Sequence, residues 1–386
     1  MHILHISNSY GGTSVYRNLY NELDKLGVRQ TVFVPLNANN HKRIGNQMID
    51  FQTDGSSIIY STALKKYHRF LYKAKIKCAL KEILSRVNIN NINLIHASTQ
   101  CVDGAIAYEL NKRYGIPYIV AVRNTDVNNY YKVFVWRKPY FSQILEEANK
   151  IIFISPKYRE NFVANTIPCS VATRISEKIE VIPNGVGGDF LAHQQKTPRT
   201  LKTPVRVAFI SSFKRGKGLL ELIDAIGALR NKGIEIQFRA IGRGLPNRGD
   251  DPAYLAAVEK KALGKQWLSL EDFKAPVELR EVLRQTDIFA MPSAPETFGL
   301  VYVEALSQNV PILYAQNQGF DGFYPDGFVG YPAKAGNVDD IADKLKRIID
   351  NYAKMSENIS RIDLNSIFDW ARIAEQYLRI YQNAEK

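Results

Sequence analysis

The 386-residue sequence predicts an α/β protein built from two doubly wound, parallel-sheet domains facing a central cleft. Three observations lead there. Short apolar runs alternate with amphipathic stretches from the first residues onward. The alternation breaks at a Gly-, Pro-, Thr- and Lys-rich stretch at 181–206 and then restarts. The length exceeds one ordinary core and suits two domains of roughly 150–200 residues.

In chain order, HILHIS (2–7) reads as a strand because it is a short apolar run closed by a polar turn. SVYRNLYNELDKLG (14–27) has helical periodicity and a terminal glycine, and TVFVP (31–35) is again strand. The pattern continues with NLIHAS (93–98), a helix at 102–115, PYIVAVR (117–123) and KIIFIS (150–155). After the break come RVAFIS (206–211), a helix at 218–233 and IEIQFRAIG (234–242). Helices at 278–286 and 300–309 then alternate with strands at 287–292 and 310–315, and a long amphipathic helix closes the chain at 367–382. The first domain is placed at 1–188, a linker at 189–202 and the second domain at 203–367.

Composition narrows the function. Hydrophobic content of 45% with 23% charged residues is that of a soluble globular protein, and no run approaches the ~18 apolar residues of a membrane span. The start lacks the pattern of a signal peptide. Cys78, Cys101 and Cys169 are too few and too far apart for a disulfide framework or a metal site, which suits a reducing cytoplasm. The net charge of +13 is lopsided: residues 1–185 hold 24 Lys/Arg against 13 Asp/Glu, while 186–386 hold 27 against 25. The first half therefore calls for an anionic partner.

The most informative stretch is PETFGLVYVEAL (295–306), where Glu296 and Glu304 interrupt an apolar run. It follows a strand, at the edge where open α/β sheets bind ligands. A helix starting near Phe298 to Leu300 would aim free N–H groups at a phosphate, with Gly299 allowing close backbone approach. On a helix the two glutamates would stand ~80° apart, so they need not share a reaction centre. From the residues alone they are either two ligand handles or a helix cap and a satisfied buried acid.

SNSYGGTSVY (7–16) also joins a strand to a helix; Gly11 and Gly12 allow a tight turn or a close ligand, and Thr13 or Ser14 can cap. FKRGKGLLELI (213–223) places Lys214, Arg215 and Lys217 past a strand end, either as diphosphate ligands or as a solvated basic turn. IGRGLP (241–246) reads as plain loop. TALKKYHRFLYKAKIKCALK (62–81) has seven Lys/Arg and no acid, and reads as a basic amphipathic helix. With NYYKVFVWRKPYF (129–141) it suits either an anionic membrane surface or a solvated face over core aromatics. Lys65, Lys66, Arg69 and Lys73 are its leading cations. His96 ends a strand and is a candidate acceptor contact, although a lone histidine is more often structural. No nucleic-acid-binding module, P-loop or zinc pattern accompanies these motifs, so neither nucleic acid nor a metal is expected.

Taken in order, GGTSVY, LIHAS, VRNTD (122–126), ANKIIFISPKYREN, KIEVIPNGV, KGLLELIDA, the E-x7-E stretch and FDWARIAEQY resemble the family 4 glycosyltransferases nearly end to end. That resemblance implies the GT-B fold, with residues 368–386 returning to the first domain. It implies that Glu304 holds a nucleoside ribose, that Glu296 touches the donor sugar, and that the Thr297, Phe298, Gly299, Leu300 and Val301 segment faces the donor phosphates. Lys217, Arg215, Ser212, Gly11 and Gly12 complete the donor set, and Glu296, Lys217 and Asp126 are the catalytic candidates. Arg123 stands where the family usually has His, Ser212 where it usually has Arg, and GFDG (319–322) replaces a glycine-pair loop.

The activity implied is retaining, metal-independent transfer from a nucleotide sugar, UDP-linked by expectation. The acceptor would be lipid-linked or a saccharide, at the inner face of the cell membrane, in surface polysaccharide or glycolipid synthesis. A nucleotide-sugar epimerase, a non-catalytic nucleotide-sugar binder and a nucleic-acid-binding protein are the rivals.

Overall fold

The computed structural model describes residues 1–244 and 250–384, the side chains at 38, 39 and 41 excepted. The chain divides into two compact units. The first comprises Met1–Ile154, Arg159–Gly185 and the helix from Trp370; the second comprises Ser155–Tyr158 and Val186–Asp369.

The first unit holds β1 (His2–Ile6), β2 (Arg29–Asn37), β3 (Ser57–Leu64), β4 (Leu94–Ala97), β5 (Tyr118–Ala121), β6 (Lys150–Phe153) and β7 (Ile179–Val181). They form one parallel sheet in the order β3-β2-β1-β4-β5-β6-β7. The second unit holds β8 (Val205–Ile210), β9 (Ile236–Arg243), β10 (Leu268–Asp272), β11 (Ile288–Met291), β12 (Ile312–Ala315) and β13 (Gly330–Ala333). Their order is β10-β9-β8-β11-β12-β13, again parallel. In each sheet the order reverses beside the first strand, between β1 and β4 and between β8 and β11. The crevice outside the strand carboxyl ends at such a point is where open α/β sheets take ligands.

Helices cover the sheets because their apolar faces need burial. Thr13 caps the helix Ser14–Lys25 by accepting the Val15 N–H at 3.3 Å. That helix packs beside the helix Trp370–Ala384, whose Trp370, Ile373, Ala374, Tyr377 and Tyr381 join Ile3, Leu19, Tyr20 and Leu94 in one core. Beneath this face His5 and His96 stand opposite each other in the β1–β4 register, their rings 5.3 Å apart. His96 Nδ1 bonds the Tyr381 hydroxyl at 2.7 Å, and its ring stacks on Tyr377 at 5.1 Å.

Three expectations are corrected. Residues 62–81 are not one helix: β3 runs to Leu64, a short turn follows at Lys66–Arg69, and the helix begins only at Tyr72. The β-branched residues Ile58, Ile59 and Thr62 suit the edge strand paired to β2. The segment 189–202 is no free tether, because it is hydrogen-bonded along the second unit. Gln195 N–H donates to the Ser307 carbonyl, Arg199 N–H to Ser356 Oγ, and Asn309 Nδ2 to the Thr197 carbonyl. The closing helix is broken at Asp369, whose extended backbone separates Asn365–Phe368 from Trp370–Ala384. The G-x-G loop at 241–246 is described only to Gly244; Leu245 and Pro246 lie outside the described residues.

Burial holds both histidines neutral. The His5 imidazole is pushed well below its ordinary value by desolvation, and His96 is lowered to about 3 by desolvation with help from the Arg123 charge. The unfolded chain, titrating near 6.5, therefore takes up these protons first as pH falls. Stability is full above about pH 6.5 and drains between there and about pH 3. Urea midpoints measured from pH 7 to 5 should fall less steeply for His96→Gln than for wild type; parallel slopes would show that His96 contributes nothing to this dependence.

Candidate active site

Three loops leave the carboxyl ends of β8, β11 and β12 in the second unit, and they meet. The loop after β8 carries Lys217. The Gly216 carbonyl accepts the Ala294 N–H at 2.8 Å, which seats this loop on the one after β11. Gly216 has φ +81°, and a Cβ there would lie 2.7 Å from the Ala294 oxygen, so only glycine fits. This seating brings Lys217 Nζ to 2.9 Å from Glu296 Oε2.

Glu296 is held from every side. Ser293 Oγ donates to its Oε2 at 3.3 Å, and the Thr297 N–H donates to its Oε1 at 3.0 Å. Its own N–H donates to Gln318 Oε1 at 3.0 Å, and its carbonyl accepts the Gly319 N–H at 2.9 Å. The loop after β12 thus clamps the loop after β11. A Cβ on Gly319 would stand 2.5 Å from the Phe298 nitrogen. The Phe298 side chain turns inward against Phe323 and Phe368, which anchors the segment without contacting solvent.

Gly299, at φ +79°, starts the helix Leu300–Ser307 with no side chain capping it. The Tyr302 N–H donates to the Gly299 carbonyl at 3.0 Å, so the Leu300 and Val301 amides and the positive dipole end are what stay open to an anion. Glu304 lies about one turn in. Among the described residues its carboxylate has no hydrogen bond or ion pair, and desolvation raises it to about 7. The two glutamates thus have different surroundings: one tied to a lysine, one solitary.

The remaining donor candidates of this unit are less central. Arg215 is 78% exposed and loosely paired with Asp251 at 3.6 Å. Ser212 is buried at the base of the loop, where Asp250 accepts the Phe213 and Gly244 N–H groups and so ties the β8 and β9 loops together.

In the first unit Gly11 and Gly12 form a short turn after β1, with Gly11 lying against the Arg43 backbone. Asp126 is fully buried. Its carboxylate accepts the backbone N–H groups of Gln100 (3.1 Å), Cys101 (2.8 Å) and Arg123 (2.8 Å), so it braces the turn after β4. Desolvation raises its carboxyl above the ordinary range. Arg123 is half-buried beside Tyr377, and its Nε lacks a partner among the described residues. The acceptor assignment of His96 is corrected. It is 2% exposed, neutral and bonded to Tyr381, so it offers no charge to an anionic group. Lys65, Lys66, Arg69 and Lys73 are exposed.

Sequence reading missed Ser293 and Gln318, which orient Glu296 together with Gly319, the first residue of the GFDG loop. It also missed buried Asp103, which binds the Asn8 side chain at 3.0 Å and accepts from Thr99 Oγ1 at 3.1 Å, with its carboxyl raised to about 7 by desolvation. Gln318 reaches a loop 22 residues earlier and Asp103 a side chain 95 residues earlier, so neither carries a local signal; Ser293 lies only three residues from Glu296 but has no distinctive pattern around it.

The chain matches the family model described as Glycosyltransferase Family 4 over residues 10–188 and the model described as Glycosyl transferases group 1 over residues 192–362. An uncharacterized glycosyltransferase of Methanocaldococcus jannaschii is 24% identical over 83% of this chain and 82% of its own length. The D-inositol 3-phosphate glycosyltransferase of Corynebacterium glutamicum is 29% identical over 49% of this chain; the match spans 47% of that relative, about half its length. A solved Anabaena protein, Alr3699/HepE in complex with UDP-glucose, superposes with a TM-score of 0.67 at 18% identity, covering 99% of this chain and 100% of its own.

Gly216→Ala should destabilise the second unit by about 1–3 kcal/mol, because it forces a left-handed backbone on alanine against a carbonyl. Gly227→Ala, in the helix Leu219–Asn231 with open space around its Cβ, should instead stabilise by about 0.5–1 kcal/mol. Thermal melts of the two variants give opposite shifts if the loop seating is as described.

Proposed function

The chain belongs to family 4 of the glycosyltransferases, with two parallel α/β sheets in the GT-B fold, and on that premise we propose that it is a retaining hexosyltransferase. The donor we assign is UDP-linked, as in the Anabaena structure holding UDP-glucose. The acceptor we assign is lipid-linked or a saccharide, carried at the inner face of the cell membrane, in surface polysaccharide or glycolipid assembly. The excess of cations in residues 1–185 supports an anionic acceptor. A curated relative named for a phosphorylated acceptor, D-inositol 3-phosphate, is in keeping with it.

The observation that carries the donor assignment is the division of labour between the two glutamates. Glu304, solitary and one turn into an uncapped helix, suits the paired hydroxyls of a ribose, which donate to a carboxylate. The open amides at Leu300 and Val301 suit a diphosphate. Glu296 holds Lys217 by one contact, which leaves the ammonium further N–H groups for a phosphate oxygen. The exposed Arg215 adds a second charge from outside.

Departure of the nucleoside diphosphate leaves an oxocarbenium-like sugar while negative charge grows on the phosphate. Lys217, Arg215 and the amides after Gly299 stabilise that charge, and fixed donors aimed at developing charge are where such a site gains most of its rate. The acceptor hydroxyl attacks the face the diphosphate leaves, and the departing phosphate oxygen takes its proton, so configuration is retained. Glu296 orients Lys217 and a sugar hydroxyl rather than acting as a base. Asp126 is a positioning residue, since its partners are the backbone amides of Gln100, Cys101 and Arg123 and the Cys101 thiol.

Calorimetry with UDP and UDP-glucose, followed by turnover with and without acceptor, tests the reading. Glu304→Ala should weaken nucleotide binding roughly 10–100-fold, the worth of hydrogen bonds to a charged group. Lys217→Ala should lower kcat by about 10²–10³-fold. Because Glu304 accepts ribose hydroxyls best when ionised, wild-type affinity should fall as pH drops below about 7, and Glu304→Gln should abolish that dependence. An unchanged Michaelis constant for the donor in Glu304→Ala removes its ribose role. Donor epimerised without acceptor makes the protein an epimerase, and binding without turnover makes it a binder.

A further inference from the structure

We propose that the two basic-aromatic stretches of the first unit form one membrane-docking surface, in which apolar prongs enter the interface of an anionic bilayer while a ring of cations meets its phosphates. This surface deepens the membrane part of the proposed function and rests on it.

The stretches are separated by 47 residues in sequence, yet Tyr72 joins them. Its ring lies 6.2 Å from Tyr130 and 5.9 Å from Phe134, and the Arg137 guanidinium sits 4.6 Å above it. Lys75 Nζ donates to the Tyr130 hydroxyl at 3.1 Å. These contacts use up the inward-facing aromatics, and what remains faces out. Phe70 is 76% exposed, Leu71 55%, Trp136 68% and Val133 60%, with Tyr67 and Val135 also half or more exposed. Such side chains are ordinary singly, but six in two touching segments make a patch.

Charge identifies the occupant. Residues 55–81 and 127–145 contain no Asp or Glu, and the Lys/Arg side chains within them form no ion pair among the described residues. Lys65, Lys66, Arg69 and Lys73 border Phe70 and Leu71, and Lys132 stands beside Val133. A second copy of the chain docking on this face would set cation against cation, which is unfavourable. Single-stranded nucleic acid would use the cations and flat rings but gains nothing from exposed Leu71, Val133 and Val135. An anionic bilayer uses all three classes: phosphates for the cations, the interface for Trp136 and Tyr67, and acyl chains for the aliphatics.

Flotation with phosphatidylglycerol–phosphatidylcholine vesicles, against pure phosphatidylcholine, tests this on the full chain. Wild type should float with the anionic vesicles and show a blue shift of Trp136 emission, read against Trp136→Phe as the blank. Phe70→Ser/Leu71→Ser should lose at least about tenfold in vesicle affinity and abolish the salt-resistant fraction. Lys65→Gln/Lys66→Gln/Arg69→Gln should lose roughly 100-fold at low salt, about fivefold per charge. All these positions are exposed, and unchanged melting temperatures establish that the variants fold. Equal binding to neutral vesicles, variants that float like wild type, a patch-dependent dimer, or oligonucleotide binding lost in the same variants would each overturn the proposal. UDP binding measured in parallel separates the two readings. Vesicle binding absent with UDP binding present in the wild type sinks this surface alone, and the reverse sinks the donor assignment alone.

Discussion

Loops at the carboxyl ends of parallel strands start about one strand spacing apart, roughly 5 Å, too close for three ordinary backbones with side chains to cross. In the second unit they cross because glycine stands at the crossings. Gly216 lets the β8 loop rest on the β11 loop, and Gly319 lets the β12 loop rest on the same segment from the other side. Everything chemical about the site follows from this double seating. It brings Lys217 to Glu296 and fixes the segment that leads into the uncapped helix carrying Glu304.

Much of the fold was legible in the sequence, and what was missed follows a physical rule. Nine strands were read from apolar runs; β3, β7, β10 and β13 were not. These four are the edges of the two sheets. A central parallel strand is covered on both faces and pairs on both sides, so its residues run almost continuously apolar, as in Ile288–Met291 and Ile312–Ala315. An edge strand is half solvated and reads as mixed, as SIIYSTAL and LSLED do. The same ambiguity turned Thr62–Leu64 into helix: the basic run after it drew the helical reading backwards across a strand end.

The site divides along a similar line. Glu296, Gly299 and Glu304 were legible because their spacing is local, and Lys217 because it follows a strand end. Gln318 was not, since it matters only through contact with a loop some 20 residues earlier, and Gly319 stood out only as part of the GFDG loop. His96 was misread because a strand-end histidine looks the same from the sequence whether it faces a ligand or lies beneath a helix that arrives 285 residues later. Its partners, Tyr377 and Tyr381, carry no mark of that destination.

That late arrival also constrains synthesis. Apart from Ser155–Tyr158, the second unit is encoded as an insertion ahead of the last helix of the first, so the groove over His5, Tyr20 and His96 stays uncovered while residues Val186–Asp369 are translated. At about 5–20 residues per second this takes roughly 10–40 s, far longer than an α/β domain needs to collapse. During that interval the nascent first unit presents an apolar slot shaped for an amphipathic helix and has no helix to fill it. The second unit, contiguous from Val186 onward, can close its own core first. The order of completion on the ribosome therefore reverses the order of the genetic text.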